Sequence, residues 1–291
     1  MPQLLSVGQL IDHSWEMYRK RFTELMGIAA WLYLPVLLGI VALAIYPGAS
    51  TLLSGRPLSF VEATGVILWL ISTFIAGPAM ATWIFVVLIK VIVAQISEKR
   101  ANIGAAMRDG QRLFWPLVLV NLLIIGVLFL PWAFTIPGWI VIQFPGATVK
   151  GLGSLLLSVG ILVAAVVSVR WLIYYSYASI TLSSEEMRGR AALRRSRELI
   201  EGRFWSALIR MILPKIIFFI VLATATGIVA EGADTLLRSY VGLNADLYVR
   251  LTGIVTLLLA STSAVLINPL LLITDCLIYE NLRETLKSPK P

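Results

Sequence analysis

The chain has 291 residues, of which 58% are hydrophobic and 14% are charged, and its formal net charge is +8. Soluble domains contain about 45–50% apolar and about 25% charged residues, so this composition excludes an ordinary soluble protein and indicates one that spans a membrane. A helix needs about 20 apolar residues to cross about 30 Å of hydrocarbon. Six runs reach that length, at about 25–46, 62–97, 115–142, 152–182, 205–230 and 251–279.

The six runs predict membrane-spanning helices, because barrel strands alternate polar and apolar residues and these runs do not. In the second run, Gly77-Pro78 predicts a kink, or alternatively a break into two half-helices, since proline lacks a backbone donor. In the third run, Pro131 and Pro137-Gly138 predict a crossing that ends near Leu130, followed by an irregular path along the interface. Three pairs of small residues four apart permit close helix packing: Gly77 and Ala81, Ala223 and Gly227, Ala260 and Ala264.

A basic amphipathic stretch that reaches a phenylalanine and then an apolar run occurs three times. The phenylalanines are Phe22, Phe114 and Phe204, separated by 92 and 90 residues. The first and third copies align without gaps at an offset of 182 residues, whereas the middle copy is weaker. Similarity at a fixed period indicates a repeat architecture. We therefore predict an all-α integral membrane protein, a single domain over 1–291, built from three parallel units of an interfacial helix and a transmembrane hairpin. The units are about 4–97, 98–182 and 185–280, with a basic tail at 281–291.

Each unit is predicted to begin with an amphipathic helix at the membrane surface. The apolar residues of the first helix recur at steps of three and four, which is the helical period, and Ser6 with Gln9 fits a capping box. Such helices either anchor and cap the bundle or recognise an anionic lipid or a partner. The apolar face of the first helix is Leu4, Val7, Ile11, Trp15, Tyr18, Phe22 and Leu25, and the third helix offers the ion pairs Arg194–Glu198 and Arg197–Glu201.

The basic residues are distributed unevenly along the chain. Sixteen of the 24 lie before, between and after the predicted hairpins, and the other three connections hold only Arg56, Lys150, Arg238 and Arg250. The positive-inside rule therefore predicts that both termini and the surface helices are cytoplasmic. Basic segments beside spanning helices are a topology signal and a contact for anionic lipid, so we expect no nucleic-acid partner. The candidate lipid contacts are Lys20, Arg21, Arg108, Arg112, Arg194, Arg195 and Arg197.

Arg170 is the most prominent candidate for a functional residue within the predicted spans. It precedes the end of the fourth run at Leu182 by twelve residues, which corresponds to about 18 Å of helix. An ionisable group at that depth is expected to have a function and a partner. It would bind a lipid phosphate, line an anion path or, as a structural alternative, bond to backbone carbonyls at a helix break. A fourth crossing that starts later than 152 would instead bring Arg170 nearer to an interface. Possible side-chain partners are Asn121, Asn268, Tyr174, Tyr175 and Tyr177.

Three other polar positions lie within the predicted spans. Lys90 lies seven residues before Ser97, so its amine can extend to the interface. Asn268-Pro269 predicts a kink, with an ion or substrate contact as the alternative. Asp275 is expected to pair with an arginine near the cytoplasmic end of the same run.

The residues of common catalytic and metal sites are missing from the sequence. Its only histidine is His13 and its only cysteine is Cys276. No buried pair of carboxylates, histidine cluster or glycine-rich phosphate loop is recognisable. We therefore expect no enzyme activity, no cofactor and no metal site.

Four segments resemble one broad bacterial group. They are Ile136-Pro137-Gly138, Val169-Arg170-Trp171, 191–205 and 277–283. Over most of its length the chain is similar to the membrane domain of glycerophosphoryl diester phosphodiesterases and to the YciC-like polytopic membrane proteins. The resemblance implies a six-helix bundle in the bacterial cytoplasmic membrane. The acid and base residues of the phosphodiesterase domain are missing from this sequence, so the resemblance implies no phosphodiesterase activity.

These features predict a non-enzymatic, lipid-interacting or envelope-associated membrane protein. Its basic helices would bind anionic headgroups, and Arg170 would hold a phosphate or a polar network. The alternative is a small-solute or anion transporter or channel, with a path between the three units that Arg170 and Asn268 would line. The sequence leaves open whether the chain forms a homo-oligomer or has a protein partner.

Overall fold

The computed structural model describes residues 4–97, 102–242 and 244–287, and every regular element in these ranges is helical. Lys99, Arg100 and Lys290 of the predicted basic segments, and the end of the predicted tail, lie outside the described residues. The α-helices are α1 (Val7–Lys20), α2 (Phe22–Ala29), α3 (Tyr33–Ala44), α4 (Ala49–Ser54), α5 (Phe60–Ile71), α6 (Gly77–Ile96), α7 (Ile103–Phe129), α8 (Ile136–Ile142), α9 (Ala147–Tyr175), α10 (Ala178–Glu185), α11 (Arg190–Ile200), α12 (Phe204–Val241) and α13 (Ala245–Lys287).

Six helical segments of the described chain are long and apolar enough to cross a membrane. Each overlaps one of the six predicted apolar runs, so the prediction of an all-helical chain with six such segments is confirmed. Five of them have 37 or more residues, so they tilt in the bilayer or continue beyond the hydrocarbon. The segments are Phe22–Ala44, Phe60–Ile96, Ile103–Ile142, Ala147–Glu185, Phe204–Val241 and Ala245–Leu286.

The second spanning segment contains a π-helical turn immediately before its proline. Gly77-Pro78 opens α6, and the π-turn Ser72–Ala76 joins α6 to α5. The wider turn accommodates the proline, which has no backbone N–H to donate. The predicted disturbance is therefore present, but the segment stays helical throughout and does not break into two half-helices.

The end of the third spanning segment packs closely against the fourth. A 3₁₀ turn at Leu130–Thr135 joins α7 to α8 and lies beside α9. A Cβ atom on Gly160 would clash with the Phe134 carbonyl oxygen, and one on Gly138 would clash with the Leu157 backbone nitrogen. Only glycine permits so close an approach. The sequence predicted an irregular interfacial path for this stretch, whereas the chain forms a tightly packed helical hairpin.

Contacts divide the chain into two compact units. Unit 1 contains Leu113–Ile209 and the described residues from Ile278 onward, and unit 2 contains the described parts of Leu5–Arg112 and Arg210–Leu277. Each unit therefore combines stretches that are distant in sequence. The predicted division into three repeat units is a different partition and stays a prediction.

Helix α1 packs against α13 within unit 2. The predicted capping box at its start is confirmed, because Ser6 and Gln9 exchange hydrogen bonds between side chain and backbone. The buried Tyr18 phenol donates to the Leu266 carbonyl at 3.0 Å. Burial also raises the pKa of Tyr18 above its ordinary value, which keeps the phenol protonated as a donor.

The buried face of α1 is rotated relative to the predicted apolar face. It follows Leu10, Ser14 and Tyr18, whereas Trp15 and Phe22 are exposed. Ser14 is buried because its hydroxyl has a partner, Thr274 Oγ1, at 3.0 Å. The two exposed rings, on α1 and at the start of α2, form an apolar surface that suits the membrane interface.

Helices α1 and α11 bury the same positions at the offset of 182 residues. Phe22 and Phe204 are each the first residue of the following helix. The middle copy differs, because α7 continues through Phe114 without interruption. The corresponding buried residues are Leu10 and Ala192, Ser14 and Ser196, and Tyr18 and Ile200.

In unit 1, Glu185 connects three helices through its carboxylate. One carboxylate oxygen lies 3.2 Å from Arg283 and accepts a hydrogen bond from the Tyr279 phenol at 2.8 Å, and the other lies 3.4 Å from Arg195. Glu185 ends α10, Arg195 lies on α11, and the other two residues lie on α13. The Glu185 side chain is only 12% exposed, so its charge depends on these partners. The network thereby holds α11 in position.

Replacing Gly160 by alanine is expected to destabilise the protein by about 1–3 kcal/mol, because the added methyl group overpacks the contact between α9 and the Phe134 carbonyl. The measurement is thermal unfolding of the purified protein in detergent. Gly151→Ala is the matched control on the same helix, since nothing lies within 4 Å of a Cβ there. It should leave the melting temperature unchanged or raise it slightly. Equal effects at the two glycines would contradict the close packing.

Glu185→Gln is expected to lower the free energy of unfolding by about 2–4 kcal/mol, because it leaves Arg195 and Arg283 without their shared counter-charge. Chemical or thermal unfolding in detergent measures the change. Glu16→Gln is the control: Glu16 pairs with Lys20 at 2.7 Å on the exposed side of α1, and its loss should not measurably change stability. A Glu185→Gln protein as stable as the wild type would show that the network contributes nothing.

Candidate functional site

An open groove in unit 1 follows the C-terminal half of α9. The residues of α9 that line it are adjacent pairs that recur every four positions, so they share one face of the helix. The beginning of α12 forms the opposite side. The groove has a volume of about 690 Å³, and most of its lining is apolar. It is lined by Ala165, Val166, Val169, Arg170, Ile173, Tyr174, Phe204, Trp205 and Leu208.

Two guanidinium groups lie against one aromatic ring at the end of this groove. The central carbon of the Arg170 guanidinium is 5.6 Å from the centre of the Tyr174 ring, and that of Arg197 is 5.9 Å from it. Arg170 Nη2 also donates a hydrogen bond to the Tyr174 hydroxyl at 3.4 Å. Cation–π contacts of this kind orient arginine side chains at exposed sites. Tyr174 therefore brings together one arginine from a spanning helix and one from an amphipathic helix.

Ser196 fixes the end of α9 and with it the backbone of Tyr174. Its hydroxyl donates to the Tyr174 carbonyl at 2.7 Å and accepts from the Tyr177 backbone N–H at 3.1 Å. The last carbonyls of a helix lack partners within the helix, and α9 ends at Tyr175. On the ring side, Phe204 contacts Tyr174 with a distance of 5.5 Å between ring centres. The sequence offset that aligned Ser14 with Ser196 thus identified a residue that shapes the groove.

Arg170 lies closer to a helix end than the sequence suggested. The helix α9 ends five residues later, at Tyr175, which corresponds to about 7.5 Å, whereas the apolar run was predicted to continue to Leu182. Of its predicted partners, Tyr174 is confirmed. Asn121 instead accepts a hydrogen bond from Ser179 at 3.0 Å, so its role is in packing between helices.

The two arginines differ in how far their charge is already neutralised. Arg170 forms no ion pair with another described residue. Arg197 lies 3.7 Å from Glu201, and both side chains are more than half exposed, so this pair is weak. Guanidinium groups bind phosphate and carboxylate through several N–H donors. With an apolar wall beside them, they can hold an amphiphile whose head is anionic.

The other predicted arginines of α11 make no described contact with Tyr174. Arg194 donates to Glu198 at 3.1 Å, as its spacing predicted. Arg195 faces Glu185 and belongs to the network that holds α11. Of the three arginines predicted here, only Arg197 joins Arg170.

Two of the predicted basic residues lie on unit 2 and are paired with neighbouring carboxylates. Lys20 lies 2.7 Å from Glu16, and Arg21 lies 3.2 Å from Glu24. Both pairs are within one helical turn and are exposed, so they leave the side chains in contact with solvent or headgroups. No groove accompanies either residue among the cavities described for unit 2.

The remaining basic candidates lie on α6 and α7. Arg108 and Arg112 are exposed on the amphipathic part of α7. Lys90, predicted to extend to the interface, is half-buried, and its amine lies 3.6 Å from the Asp109 carboxylate. The lysine therefore has an intramolecular counter-charge, the Asp109 carboxylate, which its position in the sequence did not indicate.

Asn268 lines a cavity of unit 2 that also contains Lys215 and Asp275. Lys215 Nζ lies 2.8 Å from each carboxylate oxygen of Asp275, so the expectation of an arginine partner for this aspartate is wrong. The two residues are 60 positions apart on different helices. Sequence spacing could not pair them, and it could not bring Trp205 to Arg170 for the same reason.

Within the described residues, no group of three or more histidine, cysteine, aspartate or glutamate side chains could hold a metal ion. Comparisons of the chain with protein-family models, with curated proteins and with solved structures find no match. The functional conclusion therefore depends on the geometry and charge of the groove.

Proposed function

We propose that this protein binds anionic phospholipid and acts as a non-enzymatic, lipid-binding or envelope-associated component of the bacterial cytoplasmic membrane. The observation that carries the proposal is the pair of guanidinium groups on Tyr174 at one end of an apolar groove. Arg170 has no carboxylate partner among the described residues, so its charge is available to a ligand. An uncompensated cation beside lipid is unfavourable unless an anion joins it.

A phospholipid presents a phosphate next to acyl chains, and the groove matches that order. The phosphate would lie between Arg170 and Arg197, where guanidinium donors can reach its oxygens. An acyl chain would lie along Val166 and Val169, two apolar residues that are exposed on α9. Trp205 is 72% exposed at the mouth, which suits the headgroup level where tryptophan is common.

The proposal includes cytoplasmic termini and cytoplasmic amphipathic helices. Sixteen basic residues lie on that side of the predicted topology and four on the other. The cytoplasmic leaflet is rich in anionic lipid, which attracts basic segments. Arg197 on α11 would then meet phosphates of the cytoplasmic leaflet, in agreement with the site proposed for it.

The three-unit arrangement and membership of the YciC-like group are part of the same proposal. The matching burial in α1 and α11 supports similarity between the first and third predicted repeats. The second repeat differs, because α7 is uninterrupted. The alternative, a transporter with a path lined by Arg170 and Asn268, has less support. Arg170 lines a groove of unit 1, whereas Asn268 lines a cavity of unit 2.

Removing either arginine beside Tyr174 is expected to reduce the retention of anionic phospholipid by about tenfold, because each contributes charge-assisted hydrogen bonds to the phosphate. The protein is extracted from native membranes in lipid discs, and the retained lipids are compared with the bulk membrane by mass spectrometry. The wild type should be enriched in one anionic class. Arg170→Ala and Arg197→Ala should each lose that enrichment.

Arg194→Ala is the matched control for the lipid measurement. It removes the same charge from the same helix, but its side chain is engaged by Glu198 and lies outside the groove. It should retain the wild-type enrichment. A bulk lipid composition in the wild type, or an equal loss in all three variants, would contradict a specific lipid site.

Single cysteines at Ser54 and Glu201 are expected to react from opposite sides of the membrane, because the two positions lie in connections of opposite predicted orientation. Cys276 is buried and should not react. A membrane-impermeant maleimide applied to intact spheroplasts should modify Ser54→Cys, and it should modify Glu201→Cys only after lysis. The reverse order of labelling would contradict cytoplasmic termini.

A further inference from the structure

A second cavity lies in unit 2, apart from the lipid groove. It has a volume of about 280 Å³ and lies between the first spanning segment, α6, α12 and α13. Most of its wall is apolar, and three polar side chains are present. The apolar wall is formed by Ala29, Leu32, Ala81, Ile84, Phe85, Leu88, Leu271 and Leu272, and the polar residues are Lys215, Asn268 and Asp275.

Lys215 and Asp275 form a close ion pair in this cavity. Lys215 Nζ lies 2.8 Å from both carboxylate oxygens, and the two side chains are 32% and 18% exposed. Charges within apolar spanning helices are uncommon and mark functional sites by default. Stability alone does not explain the pair, because well-packed apolar residues of similar size would stabilise the helices as well or better. Its presence beside a cavity therefore points to a ligand.

Asn268 supplies the third polar group. It precedes Asp275 by seven residues, which is about two helical turns, so both residues lie on one face of α13. The Asn268 side chain is exposed, lines the cavity and makes no hydrogen bond with another described residue. Its amide offers two donors and one acceptor to a guest.

We propose that this cavity binds a small zwitterion that carries a primary ammonium and an anionic group. A purely anionic ligand would be attracted by Lys215 but repelled by the Asp275 carboxylate. A purely cationic ligand would be attracted by Asp275 but repelled by Lys215. A zwitterion exchanges the internal ion pair for two intermolecular pairs, with its ammonium on Asp275 and its anion on Lys215. The Asn268 amide then accepts from the ammonium or donates to the anion.

Two sources present this chemistry: the headgroup of a phosphatidylethanolamine lipid and a free zwitterion in solution. A quaternary ammonium with three methyl groups lacks N–H donors for Asp275, so phosphatidylcholine is the matched lipid control. The inference is independent of the anionic lipid groove, because no residue lines both cavities. Arg194→Ala, at a residue that lines neither cavity, should leave zwitterion binding unchanged.

The test compares the two sources directly. Native mass spectrometry measures how much dioleoyl phosphatidylethanolamine and dioleoyl phosphatidylcholine remain bound to the full chain, and equilibrium dialysis measures binding of labelled phosphoethanolamine. We expect about tenfold preference for the ethanolamine lipid over the choline lipid, or saturable binding of phosphoethanolamine, which would assign the soluble source. Equal retention of the two lipids together with no binding of phosphoethanolamine would overturn the proposal.

Two variants connect the binding to the cavity. Lys215→Met with Asp275→Leu replaces the ion pair by an apolar pair of similar size, so the fold should persist while binding falls by about tenfold or more. Asn268→Leu changes an exposed residue that has no hydrogen-bond partner in the described part of the chain, so it tests the site even where the double variant fails to fold. Binding that stays at the wild-type level in Asn268→Leu, or in a folded double variant, would overturn the proposal.

Discussion

The constraint on which this structure depends is that a backbone carbonyl in an apolar medium needs a donor. The spanning segments are helical except at a turn in the fourth, and they change locally to 3₁₀ or π geometry. At such points hydroxyl groups from neighbouring elements supply the donor. Ser196 reaches the Tyr174 carbonyl at 2.7 Å, and Ser168 reaches Leu128 at 3.0 Å. The other two cases are Tyr18 to Leu266, at 3.0 Å, and Ser72 to Pro35, at 2.6 Å.

The charges follow a second division, between those that are satisfied within the protein and those that are not. Glu185 neutralises Arg195 and Arg283, and this network makes α11 a fixed platform. Because α11 is fixed, Arg197 can stand beside Tyr174 and Arg170. The ion network at Glu185 and the two arginines beside Tyr174 are therefore connected through α11. The amphipathic helix contributes to both, with neighbouring residues on different faces.

The sequence predicted what depends on local spacing and on summed composition. The six apolar segments, the Ser6–Gln9 capping box and the Arg194–Glu198 pair all follow from residues close together in the chain. The sequence did not predict contacts between residues that are distant along the chain. The predicted pair of small residues at Ala223 and Gly227 has open space at the glycine, whereas Gly160, which was not singled out, touches a neighbouring backbone.

The position of Arg170 relative to the end of its helix also depends on distant contacts that the sequence did not predict. An apolar run continues past Tyr175 into α10, so composition alone places the helix end too late. The apolar residues of α10 are buried by the protein: Ala178, Ile180 and Leu182 are almost inaccessible. Hydropathy cannot distinguish burial by protein from burial by lipid. The same ambiguity explains why Tyr174 was only one of several predicted partners.

The glycine contacts between α8 and α9 have a mechanical consequence. Side-chain interfaces adjust by changing rotamers, but at Gly138 and Gly160 backbone meets backbone and no rotamer is available. Helix α9, with 29 residues, is about 43 Å long and exceeds the thickness of the hydrocarbon layer, so in a bilayer it tilts or continues beyond the hydrocarbon. The tightly joined α8 must follow any tilt of α9. A thinner or thicker membrane would therefore rotate the hairpin as one rigid piece and leave its internal contacts unchanged.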